Sequence, residues 1–184
     1  LITHAFRHQT THTMNARYPK TTHILCAYYI SGHAFEIQGT KEDGKSVVLE
    51  EMTTSSGLFW SGLCANNGLS FLCNRVTFTK CGLSGVVAEN TTGRLINCVI
   101  TQCAWNGIAC GENALIEVEG SQSKVDGNGT NSGNSFCYGL RTFDRSSIIR
   151  LLSPLCKESV STNNRDGNYG SYSGGSIKTV DTRL

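Results

Sequence analysis

The sequence predicts an all-β fold, a right-handed single-stranded parallel β-helix (a solenoid) of about five coils with an irregular N-terminal cap. Three observations predict it: a self-similar unit that returns after 22 or 23 residues, many short strand candidates, and no helical period of useful length.

The repeat is clearest in FTKCGLSGVVAEN, starting at Phe78, set above ITQCAWNGIACGEN, starting at Ile100. Cys81 falls on Cys103, Gly85 on Gly107, and Glu89-Asn90 on Glu112-Asn113. Gly139 and Asp144 extend the series after a 32-residue step, and LRTFD at Leu140 matches IKTVD at Ile177. VDGN at Val125 and RDGN at Arg165 form a further matched pair. A period near 22 suits one coil of two or three strands, and stacked coils place like residues about 4.8 Å apart.

Strand candidates such as FEIQG, SVVLEE, LSFLC, GVVA, RLINCVI, ALIEVE and SIIRLL are alternating or wholly apolar and are bounded by Gly, Asn or Ser. An antiparallel sandwich needs no repeating unit with a fixed Gly and a fixed acid, and a leucine-rich repeat would show its Leu/Asn consensus. Residues 35–184 are therefore assigned to the β-helix and residues 1–34 to an N-terminal arm or cap. That arm holds all five histidines, His4, His8, His12, His23 and His33. The first three recur every four residues, but the threonines between them disfavour a metal-binding helix, and a solvent-exposed arm is expected. The chain starts at Leu1 rather than Met, as a processed product or a piece of a longer chain would.

Charge is sparse, 16% of residues with a net charge of +2, and no Lys/Arg cluster of the kind that neutralises phosphates occurs. Nucleic acid is not an expected partner. No apolar run reaches the roughly 18 residues of a membrane span, so a membrane is not expected either. Nine cysteines cannot all pair, and without a Cys-x-x-Cys spacing they read as buried reduced thiols acting as small hydrophobes. Free thiols favour an intracellular or virion-interior location. The triplets Asn90-Thr91-Thr92 and Asn128-Gly129-Thr130 match the glycosylation sequon, which Asn-rich turns also produce by chance.

Over residues 35–184, units such as NCVITQCAWNGIAC resemble the right-handed β-helix superfamily that includes pectate lyases, polygalacturonases, phage tailspikes and the carbohydrate-binding and sugar-hydrolase repeats. The resemblance implies a fold and a tendency to handle glycans, or to assemble as trimers. The polygalacturonase signatures Asn-Thr-Asp, Asp-Asp, Gly-His-Gly and Arg-Ile-Lys are missing, and so is a pectate-lyase-like set of calcium aspartates. The known activities do not carry over.

Two constellations have chemical potential. Glu89, Glu112, Asp144 and Asp181 would form an acidic ladder able to hold Ca²⁺, or else turn caps pointing to water. Asp126 and Asp166, each in Asp-Gly-Asn before an insertion, would be the stacked acid pair of a glycosidase or lyase if the chain is an enzyme. The same loops offer Asn128, Tyr138, Tyr169 and Tyr172 as ligand contacts, the tyrosines as platforms for sugar rings. In GLFWSG, Leu58, Phe59 and Trp60 are too many for one inward face, and Trp105 sits in a tight turn, so outward aromatics are expected.

The expectation is a non-catalytic structural or recognition β-helix, such as a viral spike or capsid component or a glycan- or protein-binding module. No cofactor is expected; a homotrimer or larger assembly and a glycan are the candidate partners. A polysaccharide-active enzyme and an intracellular protein-interaction repeat are the alternatives.

Overall fold

The computed structural model describes residues 21–24, 33–38, 46–131, 133 and 136–181. His4, His8 and His12, and most of the proposed N-terminal cap, lie outside the described residues. Three parallel sheets wrap into a solenoid of about six turns, one more than the repeat count suggested. The seven-stranded sheet runs Thr21–Ile24, Ser46–Glu50, Ser70–Asn74, Thr92–Ile96, Leu115–Glu119, Ile148–Leu152 and Ser176–Val180. The five-stranded sheet runs Thr53–Thr54, Thr77–Thr79, Val99–Thr101, Lys124–Asp126 and Ser161–Thr162. The six-stranded sheet runs Phe35–Gln38, Leu63–Asn66, Val86–Glu89, Ile108–Gly111, Leu140–Thr142 and Tyr169–Ser171. Pairing begins before residue 35, because Thr21–Ile24 pairs in register with Ser46–Leu49.

Each sheet contributes inward columns. Leu63, Val86, Ile108 and Leu140 stack in one, and Leu49, Cys73, Leu95, Val118 and Leu151 in another. All are buried, at about 1.5–3 kcal/mol for each large aliphatic side chain. Column neighbours also trade volume. Phe71 is followed on the next turn by Gly93, and the phenyl ring fills the space a Gly93 side chain would occupy.

The corners explain the punctuation of the sequence. Where the chain passes from the seven- to the five-stranded sheet, one residue per turn takes a left-handed conformation: Glu51, Arg75, Asn97 and then Gly120. This single residue redirects the strand, and its N–H is taken by the next turn, as Arg75 N donates to Ile96 O (2.9 Å) and Asn97 N to Glu119 O (2.9 Å). At the entry to the six-stranded sheet, Gly62, Gly85, Gly107 and Gly139 stack. Their φ angles are ordinary; the demand is for room. A Cβ on Gly107 would strike the Val125 side chain and lie 2.7 Å from the Gly139 carbonyl oxygen.

The C-terminal alignment needs correction. LRTFD belongs to the six-stranded sheet, where Leu140 pairs with Tyr169, whereas IKTVD belongs to the seven-stranded sheet, where Ile177 pairs with Ile149. Both read as alternating strands ending in Asp, and alternation does not record which sheet a strand joins. Asp181 therefore does not stack on Asp144.

Gly107→Val is expected to destabilise the fold by about 2–4 kcal/mol, read as a lowered melting temperature, because it meets both the packed Val125 side chain and backbone that cannot retreat. Gly133→Ala, in an exposed turn with its nearest atom 3.5 Å away, should leave the melting temperature unchanged. Equal melting of both variants with wild type would refute the stacking of Gly107 on Gly139.

Candidate functional site

The proposed acid pair is taken apart by register. Asp126 pairs with Thr162 at the end of the five-stranded sheet. Asp166 sits one corner further on, beside Cys137. The carboxylate of Asp126 accepts from Thr162 Oγ1 (2.7 Å) and Asn163 Nδ2 (2.8 Å), with Lys124 Nζ at 3.3 Å. The Thr162 hydrogen bond, with Asn163 and Lys124 behind it, holds this carboxyl below the usual aspartate range. Asp166 accepts from the Cys137 N–H (2.8 Å), with Arg165 Nε at 3.8 Å. Each acid ties one turn to the next. The identical Asp-Gly-Asn triplets misled the alignment because insertions of different length precede them.

Asn128, proposed as a ligand contact, is 2% exposed and forms part of the corner that follows the five-stranded sheet. Its Oδ1 accepts from Cys103 N (3.0 Å), and its Nδ2 donates to Ile100 O (3.2 Å) and Asn164 Oδ1 (2.9 Å). Asn164 repeats the arrangement one turn on, receiving Asn128 N (3.0 Å) and donating to Val125 O (3.2 Å). Cys81 and Cys103 occupy the same corner on earlier turns, each directed to a local carbonyl, Thr79 O (3.8 Å) and Thr101 O (3.6 Å). The column is thus thiol, thiol, amide, amide. Seven of the eight described cysteines are buried, and none is in a disulfide. Burial pushes the Cys98 thiol up to about 11 and Cys110 to about 12, so both stay protonated hydrophobes.

The acidic ladder survives in fragments. Glu89 pairs with Gly111, placing Glu112 one residue beyond exact register. Burial, and then the charge of Glu112, raise the Glu89 carboxyl above its ordinary value. Asp144 instead accepts the N–H groups of Glu112 (2.6 Å), Ser146 (2.9 Å) and Ser147 (3.0 Å), as well as the Ser146 hydroxyl. The hydrogen bonds, led by Ser146, pull it down to about 2. Asp144 is a turn cap. Among the described residues, no three His, Cys, Asp or Glu side chains converge as a metal site.

What the register does bring together is an aromatic groove. Phe136, Tyr138, Arg141, Gly170, Ser171 and Tyr172 line a cleft of about 290 Å³ beside the last two strands of the six-stranded sheet. Tyr138 lies against Gly167 and Gly170; a Cβ on Gly170 would come within 2.8 Å of its ring. The two glycines therefore give the ring its seat. The Arg141 guanidinium stands 5.8 Å from the centre of the Tyr138 ring and 4.6 Å from that of Phe143, and donates to the Phe136 carbonyl. Phe136 and Tyr172 are exposed. Two of the tyrosines named from sequence, Tyr138 and Tyr172, meet here. Tyr169 does not: it stands over Leu140 on the final turn, exposed, with Lys157 Nζ 4.7 Å from its ring centre. Phe136, Arg141 and the seating glycines were missed; the period-2 placement of Arg141, outward between Leu140 and Thr142, was the available signal.

Comparison of the chain with known protein families, with curated proteins and with solved structures finds no match.

Two outcomes follow. Asn128→Ala should cost about 2–4 kcal/mol by stranding the Cys103 N–H and the Ile100 carbonyl, checked by denaturant unfolding. Glu89→Gln should raise the melting temperature at pH 7. A carboxyl whose folded pKa is raised destabilises the fold when ionised, and the amide removes that penalty. Below about pH 4, where Glu89 is protonated in both states, the variant and wild type should melt together.

Proposed function

We propose that this chain is a non-catalytic glycan-recognition β-solenoid, a member of the β-helix superfamily whose carbohydrate-binding repeats its units resemble. The groove carries this reading. Exposed rings at Phe136 and Tyr172, the seated ring of Tyr138 and the Arg141 guanidinium supply apolar faces for sugar C–H surfaces together with hydrogen-bond donors for hydroxyls. Among the described residues, no carboxylate lines the groove. A glycosidase requires two of them on either side of the scissile bond, about 5–10 Å apart. The candidate acids Asp126 and Asp166 are both committed to contacts between turns, which favours binding over cleavage.

The groove sits on paired strands and glycine-seated rings, so the site is preorganised and loses little side-chain entropy on binding. A glycan array with the folded chain identifies the ligand class, and titration calorimetry with the best ligand measures affinity. Phe136→Ala and Tyr172→Ala are expected to weaken binding about tenfold each, since neither side chain is buried in the core. Asp126→Asn combined with Asp166→Asn should leave affinity unchanged. A glycan-cleaving activity lost in that double variant, or glycan binding indifferent to both ring removals, would overturn the proposal.

A further inference from the structure

A second surface, independent of the groove, lies on an earlier turn of the solenoid. From Met52 to Asn74 the chain completes one full circuit without a charged side chain, although the chain as a whole is 16% charged. Within that circuit Gly57-Leu58-Phe59-Trp60 makes a tight turn, closed by Trp60 N donating to Gly57 O at 3.1 Å. Leu58 and Phe59 occupy its two central positions and are 84% and 78% exposed. Turn centres ordinarily hold Gly, Asn, Asp, Ser or Pro, so two large hydrocarbons there run against local preference.

The turn is held firmly. Ser56 Oγ donates to the Trp60 carbonyl and accepts from Gly82 N (3.4 Å), and the Trp60 carbonyl also accepts from Leu83 N (2.9 Å). Gly82 has no room for a Cβ because the backbone of Gly57 and Leu58 rests on it. His33 braces Trp60 edge-on, with ring centres 4.8 Å apart. Along the same edge, Leu83 N–H bonds to Trp60 O and Trp105 N–H to Leu83 O. Trp60 and Trp105 are therefore two turns apart, about 10 Å. Both indoles are exposed, at 41% and 38%, less so than the protruding Leu58 and Phe59.

We infer that this edge docks on a lipid surface, with Leu58 and Phe59 entering the hydrocarbon boundary and Trp60 and Trp105 lying at headgroup level. Three observations favour lipid over a protein pocket. The circuit carries no charge to desolvate. The groups that close the turn, the Trp60 N–H with the Gly57 carbonyl and the Ser56 hydroxyl with the Trp60 carbonyl, are already paired within the protein. The order of exposure, with Leu58 and Phe59 most open and the two indoles less so, matches the residue types of a membrane interface. The feature is two side chains on one turn, far short of an apolar run of membrane-spanning length. Contact through so few groups is weak and reversible, comparable to a single acyl anchor.

The test is co-sedimentation of the full chain with phosphatidylcholine vesicles, alongside tryptophan quenching by brominated phosphatidylcholine. Wild type should bind, its indole emission should be quenched, and binding should be insensitive to added salt, since no charge pairing is involved. Leu58→Ser with Phe59→Ser should lower partitioning at least about tenfold while leaving the melting temperature unchanged. Phe59→Asp alone, a second route to the same loss, guards against an effect peculiar to the double variant. Absence of vesicle binding by wild type overturns the inference, as does binding that survives both variants. Concentration-dependent self-association that the variants abolish, without vesicle binding, would overturn it too by assigning the edge to a second copy of the chain.

Discussion

The vertical register of one turn upon the next governs the whole molecule. Parallel strands about 4.8 Å apart leave no freedom for side chains to choose partners. Whatever stands at a position meets its equivalent above and below. Leu63, Val86, Ile108 and Leu140 form a core only because each is held over the last by backbone hydrogen bonds. The same rule makes Gly62, Gly85 and Gly107 obligatory, since the carbonyl of the next glycine in the stack fills the space where a side chain would be. It also turns buried polar residues into columns: Asn128 and Asn164 satisfy each other and the corner carbonyls, where either amide alone would leave unpaired groups.

Because the core is a set of columns, the surface is one as well. On the outside of the seven-stranded sheet, Arg94, Glu117 and Arg150 stack on successive turns, with Arg150 Nη1 at 3.3 Å from Glu117 Oε1. Arg75 and Glu51 pair across a corner in the same way. Such exposed pairs contribute little energy individually, but alternating signs prevent a column of like charges from opposing the stack. At Glu89 and Glu112 this compensation is incomplete, and the Glu112 charge adds to burial in raising the Glu89 carboxyl.

The groove and the Leu58–Trp60 turn lie where the repeat is interrupted. A rigid solenoid can hold side chains away from its own core only at corners and insertions, where the chain leaves the sheets. The seating of Tyr138 on Gly167 and Gly170, and of the Gly57–Trp60 turn on Gly82, follows one device. A glycine on the adjacent turn lets an irregular segment settle close against the stack, so that an exposed ring keeps a fixed position.

The sequence by itself determined the all-β class, the stacked parallel repeat, the inward columns and the reduced, buried state of most of the cysteines. These follow from periodicity, which is local and survives without knowledge of partners. It also marked Tyr138, Tyr169 and Tyr172 as loop rings open to a ligand, and Leu58, Phe59 and Trp60 as more than one inward face could hold. Only the tertiary structure decided which strand joins which sheet, and with it that Asp126 and Asp166 part company, that Asp181 leaves the acidic ladder and that Asn128 turns inward. Insertions of unequal length shift the vertical partner without changing the local motif. A triplet such as Asp-Gly-Asn is therefore legible as a turn, whereas its neighbour one turn away is set by the length of everything between them.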